Sequence, residues 1–170
     1  FNRLLMAAGL ELSEIIVLRA YCRYLLQTGL PFSQASMERV LATHGAITRQ
    51  LAQLFSAQFE LETSDKLRAK QSAKLDGAIV KSLAAVRNAD DDRILRAYLL
   101  AIRATLRTNY HQTLADGAPK PWLSLKFDPQ RLPDLPLPRP KFEIFVYSPR
   151  VEGVHLRMGY VARGGIRWSD

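Results

Sequence analysis

The stretch PKFEIFVYSPRVEGVHLRMGYVARGGIRWSD, residues 140–170, decides the fold class. Phe142 to Tyr147 alternates large residues in a β-rich run. Ser148 to Gly153 reads as a turn, and Val154 to Val161 as the returning strand, so the pattern predicts a β-hairpin. Behind it stands Arg163-Gly164-Gly165-Ile166-Arg167, two side-chain-free residues between two guanidinium groups. The run reaches Asp170 with no helix or further strand to complete a sheet. A hairpin with unpaired edges calls for partner strands, so the expectation is a piece of a larger protein that opens a β-containing domain at residues 142–170.

The segment leading into the hairpin, residues 118–141, has a different character. Seven of the nine prolines lie between Pro119 and Pro140, ending in Pro133-Asp134-Leu135-Pro136-Leu137-Pro138-Arg139-Pro140. Such a run excludes helix and favours polyproline II, which predicts a stiff connector laid along the surface. Trp122, Leu123, Leu125 and Phe127 ahead of it read as a short strand or as a pin holding the connector to the preceding helices.

Residues 1–117 read as a helical bundle. A short helix from Arg3 to Gly9 is followed by one that Ser13 can cap and that ends near Thr28, with Gly29 and Pro31 beyond it. Apart from a thin stripe of Arg19, Arg23 and Gln27, that helix is almost wholly apolar. It is therefore expected at the centre of the bundle. Ser33 opens a third helix to about Ala42, and Gly45 marks a break. Ile47, Leu51, Leu54, Phe55 and Phe59 form the apolar face of a fourth. A fifth runs from Lys66 to about Arg87. Asp90, Asp91 and Asp92 then read as first-turn acids facing the dipole of a sixth helix, whose face of Leu95, Tyr98, Leu99, Ile102 and Leu106 carries it to about Tyr110. The fold class expected is α+β: a bundle, a proline-rich connector and a C-terminal hairpin.

The formal charge of +8 is spread along the chain: residues 1–118 hold 15 basic and 11 acidic side chains, residues 119–170 hold 9 and 5. Nucleic-acid footprints cluster on one face or tail, so no nucleic-acid partner is expected. The single cysteine, Cys22, excludes an intrachain disulfide, which fits a cytoplasmic setting. The most apolar run, Ile15 to Leu26, is broken by Arg19 and Arg23, so no membrane span is expected.

The histidines, His44, His111 and His155, share no metal-ligand spacing with cysteines or carboxylates, and no metal is expected. No GxGxxG or Walker loop occurs among the nine glycines. What remains is the 163–167 segment. Glycines let a ligand approach backbone N–H groups closely, and a flanking guanidinium can grip a carboxylate in a bidentate manner. Arg163, Gly164, Gly165 and Arg167 are thus candidate ligands for a small carboxylate. A second reading of another class is a helical adaptor that presents Leu135 to Pro140 to a proline-reading partner.

The segment EGVHLRMGYVARGGIRWSD (152–170) resembles the start of the catalytic region of the large NAD-specific glutamate dehydrogenases. DRILRAYLLAIRATLRTNYHQ (92–112) and LPDLPLPRPKFEIFVYSPRVEG (132–153) are similar to that family too. The resemblance implies oxidative deamination of glutamate to 2-oxoglutarate and ammonium with NAD as cofactor, in a homo-oligomer. It aligns Arg163 with the lysine of a lysine-Gly-Gly substrate motif, Gly164 and Gly165 with its glycines, and Arg167 with a following basic residue. Arginine for lysine is a departure, since the fork is longer and planar. The family places its proton-handling lysine and aspartate, and its dinucleotide domain, beyond residue 170. No catalytic residue is therefore assigned here, and the piece is expected to be inactive alone.

Overall fold

The computed structural model describes residues 1, 3–159 and 166–168. Six helices are followed by an antiparallel sheet: α1 (Leu4–Ala7), α2 (Leu12–Leu26), α3 (Gln34–Thr43), α4 (Gly45–Phe59), α5 (Asp65–Leu83) and α6 (Ala89–Ala104), then β1 (Thr105–Thr108), β2 (Leu123–Phe127), β3 (Phe142–Tyr147), β4 (Glu152–Arg157) and β5 (Ile166–Trp168). The strands form one meander in the order β1-β2-β3-β4-β5. The α+β expectation holds.

Helix α2 is central, as its all-round apolar pattern requires. It touches α1, α3, α4, α6 and β3, and buries Ile15, Val17, Leu18, Ala20, Tyr21, Cys22, Tyr24 and Leu25. Its start differs from the Ser13 cap expected. Glu11 is the N-cap, and the Glu11 N–H donates to Glu14 Oε2 at 2.9 Å, so a glutamate takes the reciprocal role usually given to serine or threonine. Gly29, at φ +81°, turns the chain after the helix, a conformation open to glycine at no steric cost. Ser33 caps α3 as expected, its Oγ accepting from the Ser36 N–H.

Helix α6 ends six residues before the expected Tyr110. Its apolar phase continues through Leu106, but Thr105 is already extended, and Leu106 in β1 is 38% exposed. The Thr105 hydroxyl donates to the Ala101 carbonyl at 2.8 Å and pairs with the Tyr21 hydroxyl at 2.7 Å. Gln58 Nε2 donates to the Thr105 carbonyl at 2.8 Å. The local bond to the Ala101 carbonyl and the long-range bond to the Thr105 carbonyl thus occupy acceptors that another helical turn would use, and a strand begins.

The sheet lays one face on α2. Leu123, Leu125 and Phe127 of β2, and Glu143, Phe145 and Tyr147 of β3, are buried at alternate positions, the period-2 signature of a half-covered sheet. Between these strands, residues 128–141 carry a 3-10 turn at Pro129–Arg131. Leu132 and Leu135 are buried in the core there. Arg139 donates to the carbonyls of Pro133 (2.6 Å) and Leu135 (3.4 Å), so the run around Leu135 to Pro140 is tied to its own backbone.

Candidate functional site

The expected hairpin is present as β3 and β4, but its return strand is Glu152–Arg157, starting two residues before the expected Val154, with Phe145 opposite Val154 and Ile144 opposite His155. Ser148 organises its turn: the hydroxyl accepts from Arg150 N (3.3 Å) and Val151 N (3.0 Å), while the Ser148 N–H donates to the Val151 carbonyl (2.9 Å). On the far side of β4, β5 adds a three-residue strand with Gly153 opposite Trp168, Val154 opposite Arg167 and His155 opposite Ile166. Arg167 therefore lies on a strand paired to β4. Arg163, Gly164 and Gly165 lie outside the described residues, in the connection between β4 and β5.

What the structure details closely is the mount. The Tyr24 ring stacks on Phe127 with centroids 4.0 Å apart and planes 13° from parallel, and Phe145 flanks it at 5.7 Å. The Tyr24 hydroxyl donates to Glu143 Oε2 at 2.6 Å. Glu143 is 1% exposed, and a carboxylate so placed needs charge-assisted donors to stay in a core. One residue earlier on the same helix, Arg23 forks onto Glu152 at the start of β4, Nε to Oε2 at 2.8 Å and Nη2 to Oε1 at 2.6 Å. The hydrogen bond to Glu152 raises the Arg23 guanidinium above its ordinary pKa, against the opposing effect of burial. Arg23 Nη1 also donates to Gln34 Oε1 in α3 at 3.3 Å.

Sequence reasoning did not find these four residues as a group. Arg23 was visible as part of a polar stripe, but its partner stands 129 residues away. Glu143 carries a signal: alternation puts it on the face of Phe145 and Tyr147, where a carboxylate requires a partner.

Other polar features lie elsewhere. Asp90, Asp91 and Asp92 occupy the first turn of α6, as expected, with Asn88 as the cap accepting from the Asp91 N–H. Asp91 receives Arg39 Nη2 at 3.1 Å and lies 3.0 Å from His44 Nε2. Burial pushes its carboxyl pKa up, but the His44 and Arg39 hydrogen bonds outweigh that and hold it below the ordinary value. An open cleft of about 430 Å³ is lined by Leu54, Gln58, Asp76, Leu100, Arg103 and Arg131. It adjoins the β1 end of the sheet, through Arg103 next to Thr105. At about 4.8 Å per strand, that edge is roughly 19 Å from β5.

The sequence profile of the bacterial NAD-glutamate dehydrogenase catalytic domain matches residues 78–170. The chain belongs to the bacterial NAD-glutamate dehydrogenase family. A second profile, glutamate dehydrogenase helical motif 3, matches residues 1–61. The chain is similar over its full length to the NAD-specific glutamate dehydrogenases of Pseudomonas aeruginosa (50% identity, covering 11% of that protein), Mycobacterium tuberculosis (48%, 10%) and Halomonas elongata (45%, 10%). It thus spans about a tenth of the length of these family members.

In family terms, α1 to α4 fall within the helical-motif match, and α6 with the whole sheet falls within the catalytic-domain match. The Arg23–Glu152 and Tyr24–Glu143 bonds join the two matched regions. Among the described residues no strand feeds a glycine-rich turn into a helix, and the sheet is an antiparallel meander. The described residues thus do not form the strand, glycine-rich turn and helix unit in which doubly wound αβ folds seat a dinucleotide. No helix among the described residues is long and apolar enough to cross a membrane.

Proposed function

We propose that this chain is a segment of an NAD-dependent glutamate dehydrogenase, catalysing L-glutamate + NAD + water to 2-oxoglutarate + ammonium + NADH. In this reading the β4–β5 connection contributes to the seat of the substrate carboxylate, with Arg163 and Arg167 as the cations and Gly164 and Gly165 as the point of close backbone approach. The helices hold the sheet that carries this connection. NAD and the groups that move protons belong to other parts of the full-length enzyme, so residues 1–170 have no turnover of their own. The observation that carries the reading is the catalytic-domain match over residues 78–170, joined to full-length similarity at 45–50% identity. The reading includes a homo-oligomer in the cytoplasm. The mass of the purified enzyme by light scattering checks the first of these.

The test is steady-state kinetics on the full-length enzyme. Arg163→Ala removes one charge-assisted contact, worth about 1.5–3 kcal/mol. It should therefore raise KM for 2-oxoglutarate roughly tenfold or more, with KM for NADH little changed. Equal KM values in the variant and the parent enzyme remove Arg163 from the substrate seat. An enzyme that reduces no NAD with glutamate ends the reading as a whole.

A further inference from the structure

The charged side chains of β1 to β4 are sorted between the two faces of the sheet. Both carboxylates point to the bundle, where Glu143 meets Tyr24 and Glu152 meets Arg23. The cations Arg107, Lys126 and Arg157 stand on the opposite face with Phe142, Ile144, Val146 and His155. The register sets this: Arg107 is opposite Lys126, Lys126 opposite Ile144, Ile144 opposite His155, and Phe142 opposite Arg157. Phe142, Ile144, Lys126, His155 and Arg157 are half-buried, and Val146 is 37% exposed. An apolar strip thus runs along β3 with cations on either side of it, and no carboxylate of β1 to β4 shares the face.

Two features call for an acidic partner on this face. Like charges directly across a strand pair destabilise a sheet, yet Arg107 and Lys126 stand in register. Arg157 Nε is buried with no hydrogen-bond partner among the described residues, and a charged donor left unpaired out of water is costly. Lys126 Nζ rests 4.0 Å from the centre of the Phe142 ring, so the cations adjoin the apolar strip itself. The dimensions suit a helix. The strip from Phe142 to Val146 is roughly 14 Å long, and β2 and β4 lie roughly 10 Å apart on either side of it. A helix is about 10–12 Å across and rises about 5.4 Å per turn, so roughly two to three turns cover the strip and bring side chains to the cations on both flanks.

We propose that this face docks an acidic amphipathic helix supplied by the part of the full-length enzyme outside residues 1–170. Its apolar stripe lies along Phe142, Ile144 and Val146, with carboxylates reaching Arg107 and Lys126 on one side and Arg157 on the other. A second copy of residues 1–170, at a net charge of +8, does not supply that charge. This chain spans about a tenth of the family members it matches, and the whole sheet lies within the catalytic-domain match, so the remaining polypeptide is the source to hand. A sheet covered by α2 on one face and by this helix on the other is a complete layered unit. The inference rests on family membership and on the length of the relatives, not on the proposed reaction, and an enzyme without turnover leaves it standing.

The test uses the full-length enzyme and the Lys126 amine as the probe. A carbodiimide joins an amine to a carboxylate in direct contact with it, and mass spectrometry of the single-chain band from a denaturing gel identifies the joined peptides. Lys126 should couple to an Asp or Glu outside residues 1–170, in a peptide with apolar residues at i, i+3, i+4 and i+7. The link should vanish in Lys126→Arg, whose guanidinium keeps the charge and does not couple. In the native enzyme Lys126 should also acetylate roughly tenfold more slowly than in urea, the factor that about 1.4 kcal/mol of protection gives. Coupling confined to the doubled band places a second copy on the face and overturns the inference. So does coupling to a carboxylate within residues 1–170, or to a peptide without the helical period. Protection that nuclease treatment removes assigns the face to nucleic acid and overturns it as well. A Lys126 that couples to no carboxylate, whether it acetylates slowly or freely, ends the proposal.

Discussion

Asp91 shows how much a single acidic side chain can be asked to do at a helix start. Its backbone N–H is taken by the Asn88 cap, and its carboxylate, 8% exposed, sits between Arg39 of α3 and His44 at the α3–α4 junction. The depressed carboxyl pKa means that the ionised form is favoured more in the folded chain than in the unfolded one. Stability from Asp91 is therefore full above its unfolded pKa and is lost as the pH falls through the lower folded value. Asp91→Asn should destabilise the chain at neutral pH by about 1–3 kcal/mol. That gap should shrink steadily on acidification below the usual carboxylate range, as urea denaturation at a series of pH values will read. A gap constant with pH contradicts the charge-based account. The sequence placed Asp91 at the start of α6 correctly, because caps and first-turn acids are local features. Its partners were not legible, since Arg39 and His44 lie 52 and 47 residues away. The same limit hid the Arg23–Glu152 and Tyr24–Glu143 pairs. Arg163, Gly164 and Gly165, read as candidate carboxylate ligands, lie outside the described residues, and for Arg167 the structure adds a strand and a register.

At the scale of elements, what was legible was whatever depends on neighbours along the chain: the apolar circumference of α2, the Ser33 cap, and the alternation of β3. The end of α6 was not, because Leu106 keeps helical phase with Ile102 while Tyr21 and Gln58 hold Thr105 in extended form. Gly45 at the start of α4 is a second case. It was read as a break, and the break has a steric cause beyond its own helix. A Cβ built on Gly45 would come 2.2 Å from the Ala7 carbonyl oxygen and 3.0 Å from its carbon, backbone atoms that cannot swing aside. Intrinsic propensity favours alanine over glycine in a helix by about 0.8–1.0 kcal/mol, whereas forcing an atom into such a contact costs about 1–3 kcal/mol. The clash should win, so Gly45→Ala is expected to lower the denaturation midpoint. Gly77, in the middle of α5 with nothing within 4 Å of its Cβ position, provides the control: Gly77→Ala should raise it. A stabilising Gly45→Ala would show that α1 does not press on α4 as described.

For the molecule as a whole, the question is whether helices and sheet stand or fall together. Tyr21 meets Phe55 of α4 edge-on at 6.0 Å and Phe127 of β2 at 6.1 Å, while Tyr24 stacks on Phe127 and flanks Phe145. Four aromatic side chains from α2, β2 and β3 and one from α4 thus form a single packed set. A core shared in this way couples the two parts, because removing the sheet would expose α2, and removing α2 would leave β2 and β3 without a floor. The two tryptophans allow this to be measured. With Trp168→Phe, fluorescence comes from Trp122, which adjoins β2 and whose carbonyl accepts from Asn109 Nδ2. Far-UV circular dichroism reports the helices. The two transitions should coincide in a urea titration. Tyr24→Ala, which deletes the ring at the centre of the set at a cost of about 3–5 kcal/mol, should move both midpoints by the same amount. Loss of the Trp122 signal at lower urea than the helical signal, or a Tyr24→Ala shift confined to one of them, would mean that the sheet is a separate cooperative unit that merely leans on α2.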